Sequence, residues 1–507
     1  MEAIPELNII KKDWRKVDVK VALCYPNVYR AGMTGLTVKL LYALFNARRD
    51  TLCERFFIPT FKEGWRSLES NQPLRRFDIV AFTIQYEWDY PNVLRMLLKS
   101  NIPLKSKERR EDDPLIIAGG PCVIGNPEPL ADYIDIFVIG DAEPIIDPVI
   151  DLVKLHGKPR KRIEEFADIK GIYVPSLSNE TERVIVENLD EAPHPLAQQV
   201  PLVGEDSPYM PIFGKAFTVE VVRGCNRRCR FCLIGHTYYP KRERSLEKVT
   251  SIIEEGLRYT PVNKISLIGA SIFEYKHLEN LCEFIVSRGL EFSISSLSPK
   301  SITEKLAELL RRGRQRRATI APDGATMKTR RIIGKVMDDE EIVNAARILL
   351  SRGIKYLKMY FMIGLPGEDL EDVVAIADLS KRVADVGYGS KSVHLSINPL
   401  IPKPHTAFQW VKTPSVAYIR NCLKMIKKEL GNDKRFVIDT YDPRYAQIQA
   451  LLSLGDRKIG EAIDLVARWS GGLGSWRRAL KKCGIHIEEY IGEKPRDKPM
   501  PWDKIKV

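Results

Sequence analysis

The sequence of 507 residues has no run of about 18 apolar residues, the length that a membrane-spanning helix needs. Its start, MEAIPELNIIKKDWRK, lacks the apolar core of a secretory signal peptide, so we expect a cytoplasmic protein. No repeat of solenoid length is found. The nine cysteines are odd in number and spread along a long chain, which excludes a disulfide framework as the organising feature. A cysteine cluster here would therefore indicate a metal site first.

The protein is moderately basic. Lysine and arginine number 79 against 66 acidic residues, which gives a net charge of +13. This permits a nucleic-acid or other acidic partner but does not establish one, because basic charge mostly reports solubility and non-specific attraction. At roughly 150 residues per domain, the length predicts about three domains.

The first part of the chain, residues 1–156, alternates short apolar runs with helical segments. The predicted strands contain VDVKVALCY, CERFFIP, FDIVAFTIQ, PLIIAGGP and YIDIFVIGDAE. Apolar runs bounded by glycine and proline, with helices between them, are typical of a parallel sheet. We therefore predict a doubly wound, Rossmann-like domain, in which ligands bind at the carboxyl ends of the strands.

A second series of strands and helices occupies residues 213–412, after an irregular linker at 157–212. Its strands contain AFTVEVVRG, KISLIGAS, EFSISSLS, ATIAPDG, KYLKMYFMIG and SVHLSINPL. Six strands, each followed by a helix, predict a partial (β/α)6 barrel with its active site at the carboxyl ends of the strands. Residues 413–507 predict a small, mainly helical C-terminal region.

Three cysteines with C-x3-C-x2-C spacing follow the first strand of the predicted barrel: Cys225, Cys229 and Cys232. Three thiolates on a short loop can bind one soft metal centre. A mononuclear zinc site would need a fourth ligand, and His236 is four residues further along. An iron–sulfur cluster held by three thiolates instead leaves one iron open. The position of the loop favours the open cluster, with structural zinc as the alternative.

The triplet, with the aromatic Phe231 before its last cysteine, resembles the signature of the radical S-adenosylmethionine (SAM) superfamily. The resemblance implies a [4Fe–4S] cluster on the three cysteines, with SAM bound through its amino and carboxylate groups to the open iron. It also implies that one electron cleaves SAM to methionine and a 5′-deoxyadenosyl radical. A reductant such as ferredoxin or flavodoxin is the implied partner.

Shorter segments at the ends of the later barrel strands resemble motifs that bind SAM in this family. Ser271 stands where the family has the glutamate of Gly-Gly-Glu, and Asp323 replaces the glutamate of an Ala-Pro-Glu-x-Gly segment. Arg330 or Arg331 could meet the SAM carboxylate, and a helix end with solvated arginines is the alternative. Gly364 would let the adenine approach closely. The residues implied to bind SAM are Ser271, Asp323, Arg330, Ile363, Gly364 and Leu400.

A parallel-sheet domain ahead of a radical SAM barrel resembles the cobalamin-dependent branch, and segments such as FTIQYEWDY, AGGP and IGDAE resemble one subgroup. The Asp-x-His-x-x-Gly motif of other cobalamin proteins is absent, and the first histidine is His156. We therefore predict cobalamin bound with its dimethylbenzimidazole base off and no histidine ligand. The residues predicted to line its site are Thr83, Gly119, Gly120, Gly140 and Glu143, with Tyr25 or Tyr29 beneath the metal.

Two other interpretations of the first domain stay open. In the second interpretation, the domain has lost its cofactor and only packs against the barrel. A nucleotide site is the third interpretation, although no G-x-G-x-x-G or P-loop follows the first strand.

The resemblance implies a cobalamin-dependent radical SAM methyltransferase acting on an unactivated carbon, and no residue is assigned to acid–base catalysis. One related substrate is a glutamine of methyl-coenzyme M reductase; tRNA and membrane lipid compete with it. One rival is a radical SAM enzyme that couples, cyclises or inserts sulfur. A second rival is an RNA-binding protein with a structural metal, suggested by RRGRQRR at 311–317. The other six cysteines are isolated, so no second cluster is expected.

Overall fold

The computed structural model describes residues 4–60, 64–469 and 471–507. Its first domain is built on a six-stranded sheet. The strands are β1 Val19–Val28, β2 Thr51–Ile58, β3 Ile79–Thr83, β4 Leu115–Gly119, β5 Ile136–Val138 and β6 Ile172–Tyr173. Their order is β2-β1-β3-β4-β5-β6, and only β6 is antiparallel to its neighbour.

This order confirms the predicted doubly wound sheet. The strand order reverses between β1 and β3, and in such sheets ligands bind in the crevice at the carboxyl ends of the strands beside that point. Helices Thr37–Ala47 and Glu143–His156 cover one face, where Val21, Ile79 and Ile117 join their apolar sides in one core.

The other face of this sheet is covered partly by the end of the chain. Helix Tyr90–Lys99 packs there together with residues of three C-terminal helices. Those three are Pro443–Leu454, Lys458–Arg468 and Gly472–Cys483. The predicted helical C-terminal region therefore completes the core of the first domain, a long-range contact that local sequence patterns do not reveal.

The second domain contains eight strands, and the six predicted for it are among them. They are β7 Phe217–Arg223, β8 Arg242–Glu243, β9 Lys264–Gly269, β10 Glu291–Ile294, β11 Arg317–Asp323, β12 Tyr356–Ile363, β13 Val393–Pro399 and β14 Phe436–Thr440. They form two four-stranded sheets, β8-β7-β9-β10 and β11-β12-β13-β14, linked by a parallel bridge between Leu297 and Ile320. Within the described ranges no pairing closes the barrel between β7 and β14.

Residues 413–507 are mainly helical, as predicted, but they also contain strand β14, which was not predicted. FVIDT has the β-branched composition of a strand and pairs in parallel with β13. It is a short edge strand whose side chains are half-buried or exposed, so it lacks the strongly apolar run that marked the other strands.

Helices surround the second domain and join its strands. The longer ones are Leu246–Tyr259, Leu278–Ser287, Glu304–Arg312, Asp339–Ser351, Leu370–Ala384 and Val416–Leu430. The shorter α-helices in the described ranges are Tyr29–Gly32, Pro121–Gly125, Leu233–Thr237, Met327–Ile332 and Ile487–Ile491. Two small pairings tie the linker to the chain ends, Glu6–Leu7 with Val200–Pro201 and Thr181–Glu182 with Ile505–Lys506. Among the described helices, none has both the length and the apolar character needed to cross a membrane.

Candidate functional site

The three cysteines Cys225, Cys229 and Cys232 lie together on the loop between β7 and the short helix Leu233–Thr237, and each is partly buried. Burial raises the pKa of Cys229 to about 11, and it also raises the pKa of Cys232. The neighbouring thiols raise both pKa values further. A positively charged centre among them would supply the charge that stabilises three thiolates, so the donor set fits a bound iron–sulfur cluster.

The beginning of this loop requires a glycine. Gly224 has a φ of +83°, and a Cβ on it would lie 2.1 Å from the carbonyl oxygen of Tyr238. The hydroxyl of Ser271 donates to the carbonyl of Gly224 at 3.1 Å, and the Ser271 side chain is fully buried. Ser271 therefore supports the cysteine loop, and its predicted contact with SAM stays a prediction.

The middle of the loop is held by two backbone hydrogen bonds. The Arg230 amide donates to the carbonyl of Ile333 at 3.0 Å, and the Phe408 amide donates to the carbonyl of Arg230 at 3.1 Å. Phe231 packs against a small apolar cluster behind the loop. The buried members of this cluster are Ile333, Leu365, Leu400 and Phe408. The aromatic residue of the motif thus anchors the loop in the ends of the later barrel strands.

The zinc alternative depended on His236. Its Nδ1 lies 2.9 Å from the carbonyl oxygen of Cys232, one helical turn earlier. In the part of the chain that the structure describes, no three His, Cys, Asp or Glu side chains converge so as to hold a single metal ion. A [4Fe–4S] cluster does not need that convergence, because each thiolate binds a different iron.

Asp323 lies at the carboxyl end of β11, close enough to the loop for its charge to raise the pKa of Cys229 and Cys232. Its φ is +61°, which is uncommon for a residue other than glycine and is often found at functional sites. Its carboxylate accepts a hydrogen bond from Lys335 Nζ at 2.7 Å. Asp323 and Lys335 thus form a charged pair beside the cysteines. Asp323 was predicted as a site residue, but Lys335 was not, since it belongs to no recognised motif.

Arg330 is buried and paired. It is 1% exposed, its guanidinium donates to the carbonyl of Ala325 at 3.2 Å, and it pairs with Asp339. It is therefore not the solvated arginine of the alternative, and its contact with the SAM carboxylate stays a prediction. Arg331, the other candidate, is exposed.

The side chains of Ile363 and Leu400 are both buried in apolar packing, and their contact with SAM stays a prediction. Successive residues of a strand point to opposite faces, and Ile363 is on the buried outer face of β12 while Met362 is on the inner face. Leu400 belongs to the apolar cluster behind the cysteine loop. Gly364 has a φ of +82°, and a Cβ on it would lie 2.5 Å from Pro414, so the protein's own packing requires this glycine.

A cavity of about 380 Å³ opens at the carboxyl ends of the first sheet. It lies between the sheet and the helices Thr37–Ala47 and Glu143–His156, and the barrel residues Glu220, Arg223 and Tyr238 close its other side. The five residues predicted to line the cobalamin site at the strand ends are all in its wall: Thr83, Gly119, Gly120, Gly140 and Glu143.

Strand alternation explains how the cavity forms. Ala81, Thr83, Ile117 and Gly119 lie on the same face, and Thr83 is directly opposite Gly119 in the register of β3 and β4. Large residues fill this face deeper in the sheet. The small side chain of Ala81 and the absence of one at Gly119 leave room for a ligand.

Gly120 and Gly140 were predicted to let a flat ligand approach, and the structure gives a different reason for them. A Cβ on Gly120, which has a φ of +111°, would lie 2.5 Å from the carbonyl oxygen of Ile84. A Cβ on Gly140, which has a φ of +123°, would lie 2.1 Å from the carbonyl oxygen of Val184. Both glycines permit close approach of the protein backbone, and they shape the cavity indirectly.

Tyr25 and Tyr29 do not line the cavity. Tyr29 is 2% exposed, and its hydroxyl donates to the carboxylate of Glu6 at 2.7 Å. Tyr25 is half-buried and packs near Phe57. Aromatic packing holds Tyr25, and the Glu6 contact holds Tyr29, away from the cavity wall, and the placement of either tyrosine beneath a metal stays a prediction.

The junction of the two domains carries a buried ion-pair network that the sequence analysis missed. Arg223, at the end of β7, lies 2.8 Å from Glu143, 2.8 Å from Glu220 and 3.2 Å from Asp141. Its carboxylate neighbours raise its pKa although burial lowers it. Arg223 lines the cavity and is two residues before Cys225, so this network joins the cavity wall to the start of the cysteine loop. The only sequence signal was its place directly before Gly224.

Replacing Arg223 with methionine is expected to destabilise the protein by about 3–5 kcal/mol, because three buried carboxylates would lose their common partner. Chemical denaturation followed by circular dichroism would measure the loss. Arg352→Met is the matched control, since its pair with Glu304 is exposed and such pairs contribute about 0–1 kcal/mol. Equal stability of the two variants would contradict the assigned importance of the network.

The arginine-rich segment 311–317 is partly neutralised. Arg311 pairs with Glu308 at 2.6 Å, and Arg314 pairs with Glu291 at 2.9 Å, all on an exposed surface. These pairs favour a solvated helix end over a nucleic-acid platform.

Comparison with protein families places two matches along the chain. The family described as "Radical SAM proteins, N-terminal" matches residues 37–175, and the radical SAM superfamily matches residues 219–380. An uncharacterized protein from Methanocaldococcus jannaschii is 31% identical over 487 residues, which cover 94% of this chain and 97% of that protein.

Two solved structures share the fold over most of the chain. The radical SAM methyltransferase TsrM from Kitasatospora setae, solved with cobalamin and a [4Fe–4S] cluster, is 14% identical with a TM-score of 0.54, covering 92% of this chain and 99% of TsrM. The cobalamin-dependent SAM radical enzyme OxsB, solved with aqua-cobalamin and SAM, is 14% identical with a TM-score of 0.56. That alignment covers 93% of this chain and 71% of OxsB. The arrangement of both domains is thus shared with these two proteins.

Proposed function

This chain belongs to the radical SAM superfamily, and from that membership we propose that it is a cobalamin-dependent methyltransferase that methylates an unactivated carbon. The observation that carries the proposal is the cavity at the carboxyl ends of the first sheet. Its wall includes Arg223 and Tyr238, which flank the loop of the three cysteines. A cofactor in that cavity would therefore be held beside the cluster site.

The residues present fit both cofactors. Three partly buried thiols share one loop, and a largely apolar slot at the strand ends suits a flat, base-off cofactor tail. When bound, the cluster supplies the electron that cleaves SAM, and cobalamin supplies a carrier for the methyl group. The cavity and cysteine loop would be brought together by Arg223, whose contacts with Asp141 and Glu143 join the two domains.

The chain's own residues have supporting roles in this proposal. Cys225, Cys229 and Cys232 would hold the cluster. Asp323 would accept a hydrogen bond from SAM, and Lys335 at 2.7 Å would orient that carboxylate. The apolar cluster behind Phe231 would exclude water from the rear of the loop.

For the substrate, the finer proposal is a protein side chain, with the glutamine of methyl-coenzyme M reductase as the first candidate. Methylation of an unactivated sp3 carbon favours a radical mechanism, because such a carbon has no acidic proton that a polar mechanism could remove. tRNA and lipid are the competing classes. Synthetic peptides that contain a central glutamine, a tRNA pool and lipid vesicles would be tested side by side.

The test of the function is whether the protein uses SAM in two ways. Anaerobically reconstituted protein with cobalamin and a strong reductant should form both 5′-deoxyadenosine, from reductive cleavage, and S-adenosylhomocysteine, from methyl transfer to the cofactor. Both products are separated by liquid chromatography. Omitting cobalamin should remove S-adenosylhomocysteine and leave 5′-deoxyadenosine. Formation of 5′-deoxyadenosine alone, with cobalamin present, would favour the rival that couples, cyclises or inserts sulfur without methyl transfer.

A further inference from the structure

A second cavity, of about 540 Å³, lies in the C-terminal region and shares no lining residue with the first cavity or with the cysteine loop. It is formed by the turn at 454–458, the end of helix Ile487–Ile491 and the segment 494–501. Pro499, Met500 and Pro501 give part of its wall an apolar character. The remaining lining residues are mostly charged.

Lys494 is the unusual member of this lining. It is 8% exposed, and its Nζ has only a long hydrogen bond of 3.4 Å to the carbonyl of Gly492. Among the described residues it has no carboxylate within ion-pair distance. Burial, together with the nearby charge of Lys498, lowers its pKa to about 8. A buried ammonium without a counter-charge is costly to the folded protein.

The other charged groups of the cavity do not relieve this cost. Lys458 and Lys498 also line it, and neither forms an ion pair in the described part of the chain. Glu128 is paired with Arg457 at 2.6 Å.

The remaining acidic groups are also engaged or open to water. Asp456 accepts from the Tyr490 hydroxyl at 3.2 Å, and it caps the backbone amide of Lys458. Glu489 is exposed to solvent. Three ammonium groups thus face one cavity without a dedicated carboxylate.

We propose that this cavity binds an oxyanion, the phosphate or carboxylate group of a small molecule, with Lys494 as its central ligand and Lys458 and Lys498 at its rim. Such an anion would supply the counter-charge that Lys494 lacks, and charge-assisted hydrogen bonds from ammonium groups are strong. The apolar wall of Pro499, Met500 and Pro501 would contact the carbon part of the ligand. The site is independent of the proposed methyl transfer.

The test uses the full chain at pH 7 in chloride buffer, with inorganic phosphate or acetate added at constant ionic strength. We expect one of the two anions to raise the melting temperature of the wild-type protein by a few degrees, and which one does so distinguishes a phosphate from a carboxylate ligand. Lys494→Met should remove that anion-dependent rise. Lys427→Met, which replaces an exposed lysine of helix Val416–Leu430, should keep it.

Without an anion, the Lys494→Met change is expected to raise the melting temperature. The folded-state pKa of Lys494 lies below its unfolded value, so the charged group opposes folding at pH 7. Without added anion, Lys494→Met should therefore melt about 2–4 °C higher than the wild type. If that variant does not fold, Lys498→Ala replaces it, and it should weaken the anion response severalfold. A wild type that responds to neither anion beyond the chloride control, or a Lys498→Ala protein that responds fully, would overturn the proposal.

Discussion

Replacing any one of Cys225, Cys229 and Cys232 with alanine is expected to remove the cluster and with it the reductive cleavage of SAM. A [4Fe–4S] cluster with one open iron needs all three thiolates, and the loop offers no fourth cysteine to replace a lost one. Iron should fall from about four per chain to near zero after anaerobic reconstitution. 5′-deoxyadenosine should fall to the level of the iron-free protein.

The fold is expected to survive these changes. The loop is held by Gly224, by the Ser271 hydroxyl and by the backbone contacts of Arg230, none of which uses a cysteine side chain. Far-ultraviolet circular dichroism should therefore match the wild type.

Cys483→Ala is the matched control for the triplet. Cys483 is also partly buried, but it ends helix Gly472–Cys483 in the C-terminal region. This variant should keep full iron and full SAM cleavage. Cys282→Ala, in the apolar core of the second domain, should cost some stability without affecting the cluster. Normal iron and normal 5′-deoxyadenosine in any of the three triplet variants would remove the cluster assignment.

Most strands of the three larger sheets could be predicted from the sequence, because they are short, strongly apolar runs. The predicted strands agree with β1 to β5 and with the six parallel strands from β7 to β13. Strands β8 and β14 were missed, because β8 has only two residues and β14 is an edge strand with half-buried or exposed side chains and little apolar signal. The packing of helices Pro443–Leu454 and Lys458–Arg468 on the first sheet was also missed, because a helix's apolar stripe does not say which distant surface it meets.

Individual site residues were predicted less well than the site's position. A motif fixes where the chain runs, and the strand-end residues Thr83 and Gly119 do line one cavity. It does not fix where a side chain points. Arg330 turns into a buried pair with Asp339, and Ile363 faces the core because of strand alternation. Arg223, which joins the domains, could not be found, since its partners in the first domain, Asp141 and Glu143, are distant in sequence.

Replacing Gly119 with methionine is expected to weaken cobalamin binding while leaving the cluster in place. Gly119 ends β4 on the cavity face, and a Cβ there would lie 3.6 Å from the Cβ of Val138, an ordinary contact. The backbone thus accepts a side chain, but a long one must enter the cavity. Overfilling such a space costs about 1–3 kcal/mol, or roughly 5- to 150-fold in affinity. Gly120 would be a poor choice, because a Cβ on it collides with the carbonyl of Ile84.

The measurement is the cobalamin that remains with the protein after gel filtration, together with its spectrum. The wild type should retain a base-off cofactor without nitrogen superhyperfine splitting in its Co(II) form, since no histidine occurs among the described residues that line the cavity. Gly389→Met, the same change at an open and exposed position, should retain cobalamin as the wild type does. Iron content should be equal in all three proteins, because the cysteines lie on a separate loop after β7. Full cobalamin retention by Gly119→Met would place the cofactor outside this cavity, and strong nitrogen splitting in the wild type would show a nitrogen ligand reaching it from elsewhere.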